Sequence, residues 1–311
     1  MPVRGPVQDP FAWRDWTAVR HWPTWCGLAL LWLMTRPSLN TTLAIGRALG
    51  PLAMRVIPGR RSVVNKNLAL ALPQADHAHI ASLSHQHTGM AALETAWLWF
   101  RGARAFDQRL HIEGAQHIDA ALATGRGVIL LQAHFTLIDL CGAFIGERWP
   151  VSAVYDPPKN PLFSVLQARF RRRTLTAVIP NGDIRDMVRR LRRGEMVWFS
   201  PDQAVSERRG GIPTRYFGQD VLTSSGTARI VAMTGAVVLP MIPSRSDDGS
   251  QYTVRVESPL ELDTTDTTAA TQAVNDHLER QVRQQPEQYL WSHKRFKPSS
   301  AELTDPYAGI R

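Results

Sequence analysis

Cysteine is nearly absent from this chain: 311 residues hold two, Cys26 and Cys141. Neither belongs to a paired motif and both have apolar neighbours. No disulfide framework or zinc site is suggested, which fits a reducing compartment. The apolar segment Trp22 to Met34 runs for about a dozen residues, short of the roughly 20 that span a bilayer. No small-residue cleavage site follows it, as a secretory signal requires. Internal repeats and low-complexity tracts are missing. So are the Walker A loop, Gly-x-Gly-x-x-Gly, the Gly-x-Ser-x-Gly elbow and His-Glu-x-x-His. Nucleotide-dependent, serine-hydrolase and zinc-peptidase chemistries lose their usual support. Acidic residues are in the minority, 27 against 36 Lys and Arg, for a net charge of +9. That balance points to an anionic partner: nucleic acid, an anionic membrane surface or a phosphorylated substrate.

Tryptophan is plentiful. Trp13, Trp16, Trp22, Trp25 and Trp32 crowd the first tenth of the chain. An apolar ring with one N–H suits the membrane–water interface, and it also suits a core. Arg14 and Arg20 precede the apolar segment and Arg36 follows it. The segment fits a short or tilted anchor, a helix lying in the interface, or a buried core helix. Membrane association is the favoured expectation, with residues 1–56 as an N-terminal apolar unit and 57–311 as the main domain.

Residues 1–21 read as irregular. Residues 22–56 read as one or two helices broken near Pro37 and Gly50-Pro51. Residues 60–72 form a basic amphipathic segment, and 76–100 keep helical spacing through Ile80, Leu83, His87, Met90, Leu93 and Trp97. Strand-like runs follow at Gly127–Gln132, Val151–Val154, Ala177–Ile179, Met196–Ser200, Ala236–Pro240 and Tyr252–Val256. Helical stretches at Asp183–Arg193, Thr223–Thr234 and Ala269–Gln284 alternate with them. Alternation of this kind predicts an α/β fold with a mostly parallel or mixed central sheet flanked by helices. The run Val254–Val256 alternates and is expected at an antiparallel edge.

The stretch His134-Phe135-Thr136-Leu137-Ile138-Asp139 follows the strand Gly127–Gln132. A histidine at a strand end is a candidate general base, and an acid beside it can set its tautomer and stabilise the imidazolium. Residues five apart in one helix point about 140° away from each other. The pair therefore requires His134 in the turn and Asp139 in the first helical turn. Alone, such a pair occurs often by chance.

Three further clusters carry polar chemistry. Arg169-Phe170-Arg171-Arg172-Arg173 brings four guanidinium groups together, suited to phosphate or carboxylate. For Arg169 and Arg172 a solvated helix face is preferred. Arg185, Arg189, Arg190, Arg192 and Arg193 recur at helical spacing and could meet lipid head groups or an acidic protein. Ser200-Pro201-Asp202-Gln203 follows a strand, which suits a site or an ordinary turn equally. Thr223-Ser224-Ser225-Gly226 looks like a helix cap, for which the structural role is preferred.

With these residues in place, the chain resembles the late acyltransferases of bacterial lipid A biosynthesis, within the wider glycerolipid acyltransferases. The likeness includes Arg61-Ser62-Val63-Val64-Asn65-Lys66-Asn67-Leu68, Glu94-Thr95-Ala96-Trp97 and Val154 to Leu162. It continues through Gly194 to Gln203 and Phe217-Gly218, and closes with Pro286-Glu287-Gln288-Tyr289-Leu290-Trp291-Ser292-His293-Lys294-Arg295-Phe296-Lys297. It runs from about Trp22 to Lys297. It implies acyl transfer from acyl-acyl carrier protein to a hydroxyl of a phosphorylated, Kdo-bearing lipid A precursor, at the cytoplasmic face of a Gram-negative inner membrane. It implies His134 as base with Asp139 as its partner, and Arg171 and Asp202 on the substrate, Arg171 holding a phosphate. No metal and no cofactor beyond the acyl-acyl carrier protein is expected, and a monomer is. Where the family usually has Gly shortly after the acid of the third block, this chain runs Ala204-Val205-Ser206-Glu207.

Two rivals remain. One is the same chemistry on a phospholipid, an aminolipid or another glycolipid. The other is a basic nucleic-acid-binding protein, which the charge permits. No helix-turn-helix, zinc finger or RNA-binding aromatic signature supports it, so no nucleic-acid partner is expected.

Overall fold

The first described helix starts on a 3-10 turn, Val19–His21, and three more α-helices follow it before the first strand. The computed structural model describes residues 16–298 and 304–310. Trp13 and Arg14 lie outside the described residues.

Helix α1 (Trp22–Met34) has Pro23 in its first turn, where a missing N–H costs nothing. It stops at Thr35, before Pro37. Helix α2 (Leu39–Val56) is capped by the Ser38 hydroxyl, which accepts from the Thr41 N–H at 3.2 Å. Helix α3 spans Pro58–Ala71 and α4 spans His77–Arg101, capped by Asp76. The break expected at Gly50-Pro51 does not occur, because α2 runs through Pro51. Close packing outweighs the backbone bond that proline forfeits. A Cβ built on Gly50 would lie 2.0 Å from the His85 carbonyl oxygen of α4, and one on Gly89 would lie 2.1 Å from Gly46 O. The two backbones touch, and only a helix at this place satisfies both.

Helix α1 is not a core helix. Of its 13 residues only Leu28 is buried. Trp22, Trp25, Leu30, Trp32 and Leu33 are exposed, as are Leu49, Leu52 and Val56 of α2 and Ile57 beyond it. Among the described residues, no helix is long and apolar enough to cross a membrane.

The rest alternates: β1 (Leu110–Glu113), α5 (Ala115–Ala123), β2 (Val128–Leu131), α6 (Ile138–Gly146), β3 (Val151–Tyr155), α7 (Pro161–Arg171), β4 (Ala177–Pro180), α8 (Ile184–Arg192), β5 (Met196–Phe199), β6 (Gly211–Tyr216), β7 (Gln219–Ser224), α9 (Gly226–Thr234), β8 (Val237–Arg245), β9 (Tyr252–Val256) and α10 (Thr267–Gln284). Among the described residues the strands make a seven-stranded sheet in the order β1-β9-β8-β2-β5-β3-β4, with β6 and β7 as a separate hairpin. All neighbours in the large sheet are parallel except β8 and β9. The expected mixed α/β sheet is therefore present. Successive residues of β2 point to opposite faces. Ile129 and Leu131 join a core with Val197, Phe199, Ile230 and Leu278. Val128 and Leu130 join the other with Met196, Trp198, Leu140 and Ile118.

Three strands escaped the sequence reading. Strand β1 pairs in parallel with β9, so β9 is antiparallel to β8 as expected but is not the edge. Strand β7 occupies part of what reads as a helix from Thr223. Strands β6 and β7 join through Phe217 and Gly218, both at positive φ, 52° and 72°. That is the backbone of a type I′ hairpin turn. Phenylalanine disguises it, since Asn, Asp or Gly usually holds the first position. The strain at Phe217 is offset by its ring, which is 4% exposed and lies 5.9 Å from the Trp291 ring.

Candidate active site

The parallel register of β2 and β5 assembles the site. Leu131 pairs with Phe199, the last residues of the two strands. His134 and Asp202 each stand three residues further on, so they leave the same sheet edge side by side. Carboxyl ends of adjacent parallel strands are the usual place for a site in an open α/β sheet.

Asp202 is 1% exposed and holds His134 at two points. One carboxylate oxygen lies 2.6 Å from His134 Nδ1, and the other accepts the His134 main-chain N–H at 2.9 Å. The Tyr289 hydroxyl donates to that second oxygen, also at 2.9 Å. Burial alone would push the Asp202 carboxyl up. The His134 charge and the hydrogen bonds from His134 and Tyr289 outweigh burial and hold it down at about 2. The carboxylate is thus ionised, Nδ1 carries a proton toward it, and Nε2 is the ring nitrogen available for proton transfer. The His134 side chain keeps 22% of its surface exposed.

His134 lies in the turn and Asp139 in the first turn of α6, as the five-residue spacing requires. Yet Asp139 is not the acid bonded to His134. Its Oδ1 accepts from Arg171 Nε at 2.8 Å and Nη2 at 2.7 Å. The imidazole turns toward β5, whereas Asp139 leaves α6 toward the last residue of α7. Asp202, expected on the substrate, is the acid bonded to His134, while Asp139, expected beside the imidazole, meets Arg171. Arg171, expected on a phosphate, spends two of its three guanidinium nitrogens on Asp139. Two other arginines of that cluster stack on rings: Arg169 lies over the Trp16 ring at 4.7 Å and Arg173 over Phe170 at 4.6 Å. Arg189, Arg190 and Arg193 around α8 pair with Asp186 or Glu195, which leaves that basic stretch partly neutralised.

The segment after α10 closes the site. Phe135 and Tyr289 form an antiparallel bridge. The Thr136 N–H donates to Gln288 O at 2.8 Å, and the Leu290 N–H to His134 O at 2.9 Å. Further on, the Ala204 N–H donates to His293 Nε2 at 3.1 Å, holding the chain just past Asp202.

A model of the bacterial lipid A biosynthesis acyltransferases matches residues 11–298. The chain belongs to that family. It is 31% identical to the lipid A biosynthesis lauroyltransferase of Escherichia coli K12, over 89% of this chain and 92% of the relative. It is also 31% identical to the palmitoleoyltransferase of that organism, over 91% and 94%. The myristoyltransferase from there is 24% identical over 93% and 91%.

The acyltransferase fold explains motifs that the sequence presented without roles. Asn67, from the Arg61–Leu68 block, donates to the carbonyls of Trp291 at 2.6 Å and His293 at 2.7 Å, tying α3 to the closing segment. Glu94, from the Glu94–Trp97 block, pairs with Arg245 and accepts from Tyr252 at 2.8 Å. Asn160 caps α7 by accepting from the Phe163 N–H at 3.1 Å. Arg295 donates to Leu222 O at 3.0 Å and Thr223 Oγ1 at 2.7 Å, so Thr223 is structural. Tyr289 and His293 are the site residues that residue-level reasoning missed. Their signal was the closing motif itself, which showed no partner until the chain folded.

His293 gives the acyltransferase an acid-sensitive joint. Burial lowers its pKa to about 4, against a raising influence from Asp202. The neutral ring is the form that accepts from Ala204. In the unfolded chain the ring titrates near 6.5. Between these values the unfolded chain binds the extra proton, so stability falls as pH drops from about 6.5 toward 4, by up to about 1.4 kcal/mol per unit. His87, lowered to about 3 by burial and then by Arg245 and Arg47, adds a loss of the same sign. His293→Gln is expected to flatten the fall of Tm between pH 7 and 5. A Tm–pH curve unchanged by that substitution counts against the assignment.

Proposed function

We propose that this chain transfers a fatty acyl group from acyl-acyl carrier protein to a hydroxyl of a Kdo-bearing lipid A precursor, with His134 as general base. The observation that carries this reading is the His134–Asp202 pair at the sheet edge, with Nδ1 engaged and Nε2 left for the acceptor. The acceptor hydroxyl gives its proton to Nε2 while its oxygen attacks the thioester carbonyl. Asp202 stabilises the imidazolium that forms. The tetrahedral intermediate then expels the thiolate, which takes the proton from Nε2. Acyl-acyl carrier protein is the co-substrate, and the steps draw on no other cofactor.

Surrounding features support the same reading. A cleft beside Asp139 and Arg171 is lined by Leu98, Trp99, Ala143, Phe170, Leu175 and Trp198. Its apolar wall suits an acyl chain, and the names of the relatives specify lauroyl, palmitoleoyl and myristoyl groups. The exposed apolar residues of α1 and α2 suit insertion into one leaflet, with Arg36, Arg55 and Arg60 near anionic head groups. These features support a seat on a membrane surface, which we assign to the cytoplasmic face of the inner membrane. Arg185 and Arg192 remain exposed on α8 for an acidic carrier protein.

The test is transfer from a panel of acyl-acyl carrier proteins to Kdo-bearing tetraacyl lipid A precursor. Product formation is expected. A folded preparation that acylates a phospholipid or another glycolipid but not this precursor overturns the acceptor; one that acylates nothing overturns the reaction.

A further inference from the structure

Asp202 carries three hydrogen bonds, and the third has no place yet in the chemistry. Two come from His134, the residue it orients. The third comes from Tyr289, whose ring is 4% exposed and stands T-shaped to Phe135 at 5.9 Å and to Trp291 at 4.8 Å. The segment bearing Tyr289 is stitched to the segment bearing His134 by the Phe135–Tyr289 bridge, the Leu290–His134 bond and the Thr136–Gln288 bond. Base, acid and phenol therefore form one closed ring of contacts.

We propose that Tyr289 is a positioning residue of the acyl-transfer site, acting through Asp202 on His134; the proposal rests on the His134–Asp202 reading above. His134 engages both carboxylate oxygens, but through one residue in a turn, so carboxylate and ring can shift together unless a second segment anchors them. The phenol supplies that anchor, donating to the oxygen that also takes the His134 main-chain N–H. It also draws charge from the carboxylate, which limits how strongly Asp202 stabilises the imidazolium. Burial and the Asp202 charge hold the Tyr289 hydroxyl well above its usual pKa of 10, so it remains a donor throughout the working range. The phenol thus has two separable effects: it keeps Nε2 aimed, and it keeps the base from becoming too basic.

Tyr289→Phe retains the ring and removes only the donor. In the full chain it is expected to lower kcat about ten- to a hundredfold, the worth of one hydrogen bond to a charged group. KM should hold, and the acid limb of the kcat–pH profile should move upward. A purely structural hydroxyl would lower Tm and leave the pH profile in place. In an Asp202→Asn background, Tyr289→Phe should cost little more, because the two act as a unit. An equal further loss there, or an unmoved pH profile in the single variant, overturns the proposal. If Asp202→Asn itself leaves kcat intact, the His134–Asp202 reading has failed. A loss on Asp202→Asn with none on Tyr289→Phe sinks the positioning role alone.

Discussion

His134→Ala and Asp202→Asn are each expected to lower kcat by about 10²- to 10⁴-fold, the usual share of a general base and of what orients it. Alanine removes the only nitrogen in position to take the acceptor proton. Asparagine keeps the shape of Asp202 but can present an N–H to Nδ1, which reverses the tautomer and puts the proton on Nε2. Binding should change little, since Asp202 is buried behind the imidazole. Asp139→Asn is the informative control. Its carboxylate meets Arg171 and not His134, so it should act by loosening Arg171, and Arg171→Lys should resemble it. Steady-state kinetics of the four variants, each checked for folding by circular dichroism, decide between the two acids. A larger kcat loss in Asp139→Asn than in Asp202→Asn would restore the five-residue pair as the catalytic one.

Arg245→Met should be the most damaging single change for stability, about 3–5 kcal/mol. Arg245 and Glu94 pair with side-chain exposures of 0% and 1%. Arg245 also reaches His87 Nδ1, while Tyr252 donates to Glu94 at 2.8 Å. Methionine leaves the Glu94 charge buried without its counter-ion. Removing both charges, in Arg245→Met with Glu94→Gln, should recover much of the loss, because the cost comes from the uncompensated ion. Urea unfolding of the two single variants and the double checks this; equal losses in Arg245→Met and the double variant would refute it. The two bonds between the Arg245 main chain and the Gln288 side-chain amide, both 2.9 Å, survive the substitution. Activity should therefore fall less than stability at temperatures where the variant remains folded.

Much of this architecture was readable from periodicity. The six strand runs from Gly127 to Val256 are strands of the large sheet, since a buried parallel strand is a short apolar run bounded by turns. Strand β1, Leu110–Glu113, was not readable, because four residues at a half-exposed edge leave little pattern. His134 was readable as a site candidate from its place at a strand end. Its partner was not, because spacing along the chain measures contact only within one element. Asp202 lies 68 residues away and arrives through strand register. Likewise, Pro51 signals a break in isolation, and only the touching glycines of α2 and α4 keep the helix whole.

The closing segment also sets an order of events during synthesis. His134 and Asp202 leave the ribosome long before Tyr289, Leu290 and His293, and chains tend to fold in the order they are made. A nascent chain that has reached the end of α10 already owns its sheet and its base. It still has no phenol on Asp202, no acceptor for the Ala204 N–H and no strap across the His134 turn. A message truncated before residue 286 would lose these contacts together with the buried Tyr289, Trp291 and Phe296, so the site and part of the core are completed by the same last stretch of translation.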